Sequence, residues 1–157
     1  MRQLLFPGAA FIAAVLLVFI AGPALGQEQA EFVGSQACQG CHPDEYENFT
    51  THSKKATSAE SVQMMASDLT PAELESCYGC HTTGYGQPGG FVSYEETPGM
   101  GDAGCEVCHG PGSLHVEYGG DPSVIKGSLA LEDCTGCHNE ERVESFDFKP
   151  LLYGGAH

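Results

Sequence analysis

Cys38-Gln-Gly-Cys41-His42 recurs in kind three more times along the chain. The other copies are Cys77-Tyr-Gly-Cys80-His81, Cys105-Glu-Val-Cys108-His109 and Cys134-Thr-Gly-Cys137-His138. Together they use all 8 cysteines, and a histidine follows every pair at once. Two thiols at this spacing reach the two vinyl groups of one porphyrin, and the next residue sets an imidazole under the iron. Paired cysteines also build zinc sites, and an exported zinc module is the remote alternative; zinc does not ask for the same adjacent histidine four times. A disulfide framework leaves the four histidine placements unexplained. The pattern therefore predicts four covalently bound c-type haems (heme c). Cys38, Cys41, Cys77, Cys80, Cys105, Cys108, Cys134 and Cys137 would form the thioethers, and His42, His81, His109 and His138 would be proximal ligands.

The rest of the composition agrees with an exported redox protein. The chain has 157 residues, with 6 Lys+Arg against 21 Asp+Glu and a formal net charge of −15. Such acidity excludes a nucleic-acid binder, which needs cations for phosphates. Charged residues make up only 17% and hydrophobic residues 41%, so the chain is not an acidic disordered tail either. Arg2, the apolar run from Phe11 to Ala21, Pro23 and the small residues of Ala24-Leu25-Gly26 form a secretory signal pattern. Residues 1–26 are read as a signal peptide cleaved near Gly26, and residues 27–157 as one tetrahaem cytochrome c domain in the periplasm or an equivalent exported compartment. An uncleaved membrane anchor is the alternative. No cysteine follows the apolar run before Cys38, so nothing points to a lipoprotein.

Four haems change what the core of such a chain can be. A globule of this size has a radius of gyration of about 14 Å, and a haem is roughly as wide as a helix, about 10 Å. The haems must lie nearly in contact, and the Phe and Tyr residues are expected to pack on porphyrins rather than form a conventional core. Seven histidines less four proximal ones leave His52, His115 and His157. Two axial imidazoles specialise an iron for electron transfer, whereas an empty face admits small ligands. Three spare histidines leave at least one iron without a distal one. His52 stands ten residues beyond His42, about 15 Å along a helix, so it would reach a neighbouring haem. Gly110-Pro111-Gly112 breaks the chain after His109, and Ser113 can cap a new turn that aims His115 away from its own haem. His157 ends the chain, where Phe146, Phe148 and Leu151-Leu152-Tyr153 can pin it. Met64, Met65 and Met100 are the other axial candidates.

The predicted architecture is mainly α and loop-rich, a small multihaem cytochrome c fold organised by its haems with little or no sheet, since no period-two alternation is present. Residues 27–34 read as a tail and 43–66 as helical, with Pro43 in the first turn. Thr70-Pro71-Ala72-Glu73 is a capping box opening a helix into the second motif. Residues 82–104 hold seven Gly and two Pro and read as a loop over the haems. Gly119–Pro122 reads as a turn, and 129–134 as a short helix into the last motif.

Two stretches, Val33–Tyr46 and Gly104–His115, resemble the periplasmic tetrahaem cytochromes c typified by the nitrifier protein that takes electrons from hydroxylamine oxidoreductase. Cys77 to Gly84 is similar to the same family, and the resemblance covers most of residues 33–140. It implies four haems in stacked and perpendicular pairs, three with two histidines and an open iron at His81. By the same resemblance His52 would serve the haem of His109, and His115 that of His138. The family's distal histidine between the second and third motifs is missing here, since residues 82–108 contain none. His157 would take that role on the haem of His42. The tail from Glu140 and Arg142 to His157 resembles the end of other multihaem modules, where a closing histidine ligates.

The functional expectation is an electron-transfer protein whose acidic surface steers redox partners bearing basic docking patches, in weak and transient complexes. No nucleic acid is expected, and membrane contact only through a partner or an uncleaved N-terminal segment. No acid–base or nucleophile constellation is visible. The alternative is a haem enzyme that reduces a small nitrogen-oxide-type ligand at the open iron.

Overall fold

The computed structural model describes residues 28–139. Residues 1–27, with the expected signal peptide, and residues 140–157, with Phe146, Phe148 and His157, lie outside the described residues. Six short helices carry the chain: α1 Pro43–His52, α2 Ser58–Met65, α3 Pro71–His81, α4 Cys105–His109, α5 Ser113–Glu117 and α6 Leu131–Thr135. Single 3-10 turns join them, and no strand occurs among the described residues. No helix of the described residues is long and apolar enough to cross a membrane.

Local signals start α1 and α3, whereas α2, α4 and α5 have no side-chain cap. Pro43 opens α1 with Asp44 and Glu45 in its first turn, where their charge complements the helix dipole. The expected helix over 43–66 is divided at Ser53, whose backbone is extended and whose hydroxyl accepts from Lys55 N to start a new turn. In α3 the capping box forms as the sequence predicts. Thr70 N donates to Glu73 Oε2 at 2.9 Å, and Glu73 N to Thr70 Oγ1 at 3.4 Å. The Thr70 hydroxyl also donates to Glu73 Oε2 at 2.7 Å, and this bond, with that from Thr70 N, holds the Glu73 carboxyl below its ordinary range. Ser113 differs from expectation. It is the first residue of α5, not its cap, and its hydroxyl accepts from Glu31 N at 2.8 Å. The chain reaches it through Gly110, whose φ of +81° is open to glycine at little cost.

Residues 28–34 are not a free tail. Phe32 N donates to Pro88 O at 3.0 Å and Ser113 N to Glu31 O at 3.1 Å, so the segment is a strap across the loop and α5. Ser35 continues it, its hydroxyl accepting from Cys105 N at 3.0 Å. The 82–104 loop turns inward at Thr82, Thr83, Phe91, Met100 and Ala103, all buried. Phe91 packs against Tyr78 and Tyr94 with ring centres 5.0 and 4.9 Å apart. The aromatic residues therefore do build a small protein core beside the second motif, which the sequence reading assigned wholly to porphyrins. Burial of Phe91 removes its ring from water, and edge-on contacts add about 0.5–1.5 kcal/mol per pair. Met64 and Met65 are exposed, 79% and 55%.

Candidate haem-binding site

The fold sorts the four motifs into two pairs. Cys38 of the first motif and Cys105 of the third are in hydrogen-bond contact. Cys80 of the second and Cys137 of the fourth are likewise in contact. The bond from Cys38 stabilises the Cys105 thiolate, lowering Cys105 to about 6, while Cys38 is held far above the usual thiol range. Burial, aided by Cys80, raises Cys137 to about 11. Among the described residues the cysteines form no disulfide, and no three His, Cys, Asp or Glu groups converge as a zinc site requires.

A cavity of about 300 Å³ opens between the second and fourth motifs, walled by Cys80, His81, Cys134, Cys137 and His138 with Cys108 of the third. Lys54 and Lys55 complete its rim. Burial lowers the His138 imidazole, and the Lys55 ammonium pushes the same way. Both effects keep the ring neutral, the form that binds a metal.

The histidines carry the clearest mark of ligation. Nδ1 of His81 lies 3.3 Å from Ser58 O, Nδ1 of His109 2.6 Å from Lys126 O, and Nδ1 of His115 2.9 Å from Asp121 O. A carbonyl oxygen only accepts, so each Nδ1 must carry the proton. That bond fixes the ring's direction and makes Nε2 the atom that a metal would take, the usual outer arrangement around a metal-bound histidine. Ser58 is also tied into the second motif, its hydroxyl donating to His81 O at 2.8 Å and accepting from Ala103 N at 2.8 Å.

The ring centroids of His42 and His115 stand 6.3 Å apart, with the ring planes 21° from parallel. Two imidazoles on one metal, with bonds of about 2.0–2.1 Å and ring centres about 1.1 Å further out, stand about 6 Å apart. The residues thus fit a haem iron between them. His115 therefore stands beside His42 of the first motif, where the resemblance implied the haem of His138. His52 ends α1 with its side chain exposed. Met100 is buried, but its sulfur lies against Gly34 as packing.

Glu106 and Ser58 were not singled out from the sequence. Glu106 sits inside the third motif and is only 2% exposed. Its oxygens accept from Val33 N at 3.0 and 3.2 Å, Gly34 N at 2.7 Å and Gly112 N at 2.7 Å. A carboxylate in a spacer position is a visible oddity, but no spacing rule names its partners.

Helices and loops that set four Cys-x-x-Cys-His motifs side by side in two pairs, with the imidazoles of His81 and His109 held by backbone carbonyls, fit a multihaem cytochrome of the c type. Residues 37–110 match the family described as cytochrome c554 and c-prime. Cytochrome c-554 of Nitrosomonas europaea is 34% identical over 111 residues, covering 64% of this chain and 47% of that protein. The multiheme cytochrome MtrC of Shewanella baltica is 26% identical over 133 residues, 83% of this chain and 17% of that one. The chain thus spans about half the length of the first relative and far less of the second. The solved structure of reduced cytochrome c554 from Nitrosomonas europaea matches with a TM-score of 0.56 at 22% identity, over 80% of this chain and 83% of that one. This chain is a multihaem cytochrome that resembles cytochrome c554 in sequence and in fold.

Proposed function

We propose that the protein is an exported tetrahaem cytochrome c that passes electrons between redox protein partners. The observation that carries this reading is the contact of motif one with three and of two with four, which leaves no room for isolated centres. Each haem, when bound, supplies an iron that gains and loses one electron. The eight cysteine thiols anchor the porphyrin edges, and His42, His81, His109 and His138 take the proximal positions. His115 closes the iron of His42 from the other side. His52 and His157 are then the ligands left for the irons of His109 and His138, and His81 holds the open one. The carbonyls of Ser58, Lys126 and Asp121 keep three imidazoles from rotating, which limits reorganisation when charge changes.

Residues 1–26 direct export to the periplasm and are cleaved near Gly26. Asp44, Glu45 and Glu47 stand exposed on α1 next to the exposed Cys41 and His42. That face would meet a basic patch on a partner and associate in a salt-dependent way. No nucleic acid is a partner, and membrane contact would come through a partner or a retained N-terminal segment.

Pyridine haemochrome spectra with intact mass test the count; fewer than four haems in the exported protein rejects it. Electron paramagnetic resonance of the ferric protein should show three low-spin irons and one high-spin. An all-low-spin spectrum removes the open iron.

One observation favours a second reading, reduction of a small nitrogen-oxide-type ligand at His81. Lys54 and Lys55 share the cavity wall with His81, so cationic donors that the sequence around the second motif lacks are near it in space. Failure of nitric oxide to bind or turn over at a high-spin iron rejects this reading.

A further inference from the structure

We propose that Glu106 is a positioning residue for the axial ligand His115, a clasp that holds the first haem's distal imidazole in place. The proposal rests on the reading that His42 and His115 share one iron. The carboxylate joins two stretches that are far apart in sequence, the strap at Val33-Gly34 and the turn at Gly112. Its Oε1 accepts from Gly112 N at 2.7 Å and Val33 N at 3.0 Å, and its Oε2 from Gly34 N at 2.7 Å. Gly112 is the residue from which α5 starts, and His115 lies in the first turn of that helix. The strap residues are bound to the same helix a second time, through Glu31 N to Ser113 Oγ at 2.8 Å and Ser113 N to Glu31 O at 3.1 Å.

α5 is five residues long and has no side-chain cap of its own. So short a helix does not hold its direction unaided, because nucleation costs more than one turn returns. Its first backbone donors are satisfied instead by Glu106 and the strap. The site is built for a carboxylate. A Cβ on Gly112 would stand 3.1 Å from Glu106 Oε1, so a side chain there would press on the carboxylate by a few tenths of an ångström. Bonds from backbone N–H to an ionised, buried acceptor are among the stronger ones. Glu106 follows Cys105, so the clasp also ties the third motif, whose Cys105 meets Cys38, to the ligand of the first.

Glu106→Gln keeps the shape and tests the charge and acceptors. An amide must turn its NH2 towards either Gly34 or Gly112, and either choice sets donor against donor and opens the bridge. The measurement is electron paramagnetic resonance of the ferric holoprotein with four haems verified, beside thermal melting. The expected result is a new high-spin signal amounting to as much as one haem per chain, matching that of His115→Ala, and its return to low spin on adding imidazole. A variant that melts earlier yet keeps the wild-type spin states overturns the proposal, because Glu106 would then be structural alone. If Glu106→Gln fails to take up four haems, Glu106→Asp keeps the charge and withdraws it by one methylene; it should give a partial high-spin signal, and unchanged spin states reject the clasp. His115→Ala separates the two levels. No new high-spin iron there rejects the shared-iron reading itself, whatever Glu106→Gln does.

Discussion

Around the first and third motifs the chain closes on itself through backbone. The strap, the GPG turn and α5 meet at one buried carboxylate, and the ring centroids of two imidazoles stand 6.3 Å apart. Around the second and fourth motifs the wall is made of side chains, a cavity of about 300 Å³ remains, and Lys54 and Lys55 stand on its rim. The first arrangement fixes ligand geometry; the second leaves space and brings positive charge into a strongly acidic protein. Backbone ties thus dominate one pair of motifs, and an open, lysine-lined space the other.

The largest test of this contrast is removal of an anchor. Cys105→Ser with Cys108→Ser should cost one haem and disturb the iron of His42 as well, because Cys38 contacts Cys105 and Glu106 lies between the mutated positions. Cys134→Ser with Cys137→Ser should also cost one haem, while leaving the signal of the His42 iron intact. Haem count and low-spin signals read both, and equal disturbance of the His42 iron by the two double variants would erase the distinction.

A smaller effect concerns Lys55, whose ammonium acts on Cys108, Cys134, Cys137 and His138. Loss of a cation favours the more positive, oxidised iron. Lys55→Met should lower the midpoint potential of the haem at His138 by up to about a tenfold change in its redox equilibrium, or about 59 mV for one electron. Lys55→Arg should leave it near wild type. Spectroelectrochemical titration decides, and an equal shift at the His42 haem would contradict the separation of the two sides.

The smallest effect is the α3 cap. Glu73 is lowered from its ordinary value of 4.5 by its bonds to Thr70. A depressed carboxyl adds stability above the unfolded pKa and loses it as pH falls through the folded one. Glu73→Gln should therefore melt a few degrees below wild type at neutral pH, and the gap should close in acid below about pH 4. A gap that persists or widens in acid would show that the ionised cap is not its source. Since α3 carries the second motif, the same variant should leave the His42 signal untouched.

Much of this site could be read along the chain because its chemistry is local. Four Cys-x-x-Cys-His motifs, the Thr70–Glu73 box and the GPG break each depend on residues within a few positions, and they stand in the structure where the sequence put them. The helix over 43–66 was seen, but not its division, since Ser53 competes with the helix only through its own hydroxyl and one N–H. The strap was read as a tail because single-residue polarity says nothing of acceptors such as Pro88 O and Glu106. The aromatic cluster of Tyr78, Phe91 and Tyr94 was missed for the same reason, as its members are brought together by a glycine-rich loop without periodicity.

By itself, then, the sequence determined which atoms can hold the cofactor, because covalent attachment demands thiols and imidazole at fixed short spacing. It also determined that three histidines remain beyond the four that follow the cysteine pairs. Only the tertiary structure decided which motifs are neighbours, that His115 stands beside His42, that Lys55 lines the cavity, and that Glu106 joins the strap to the GPG turn. Those facts depend on contacts across tens of residues, where loop closure and the burial of a few groups such as Glu106 and Phe91 select one arrangement among many that the same motifs allow.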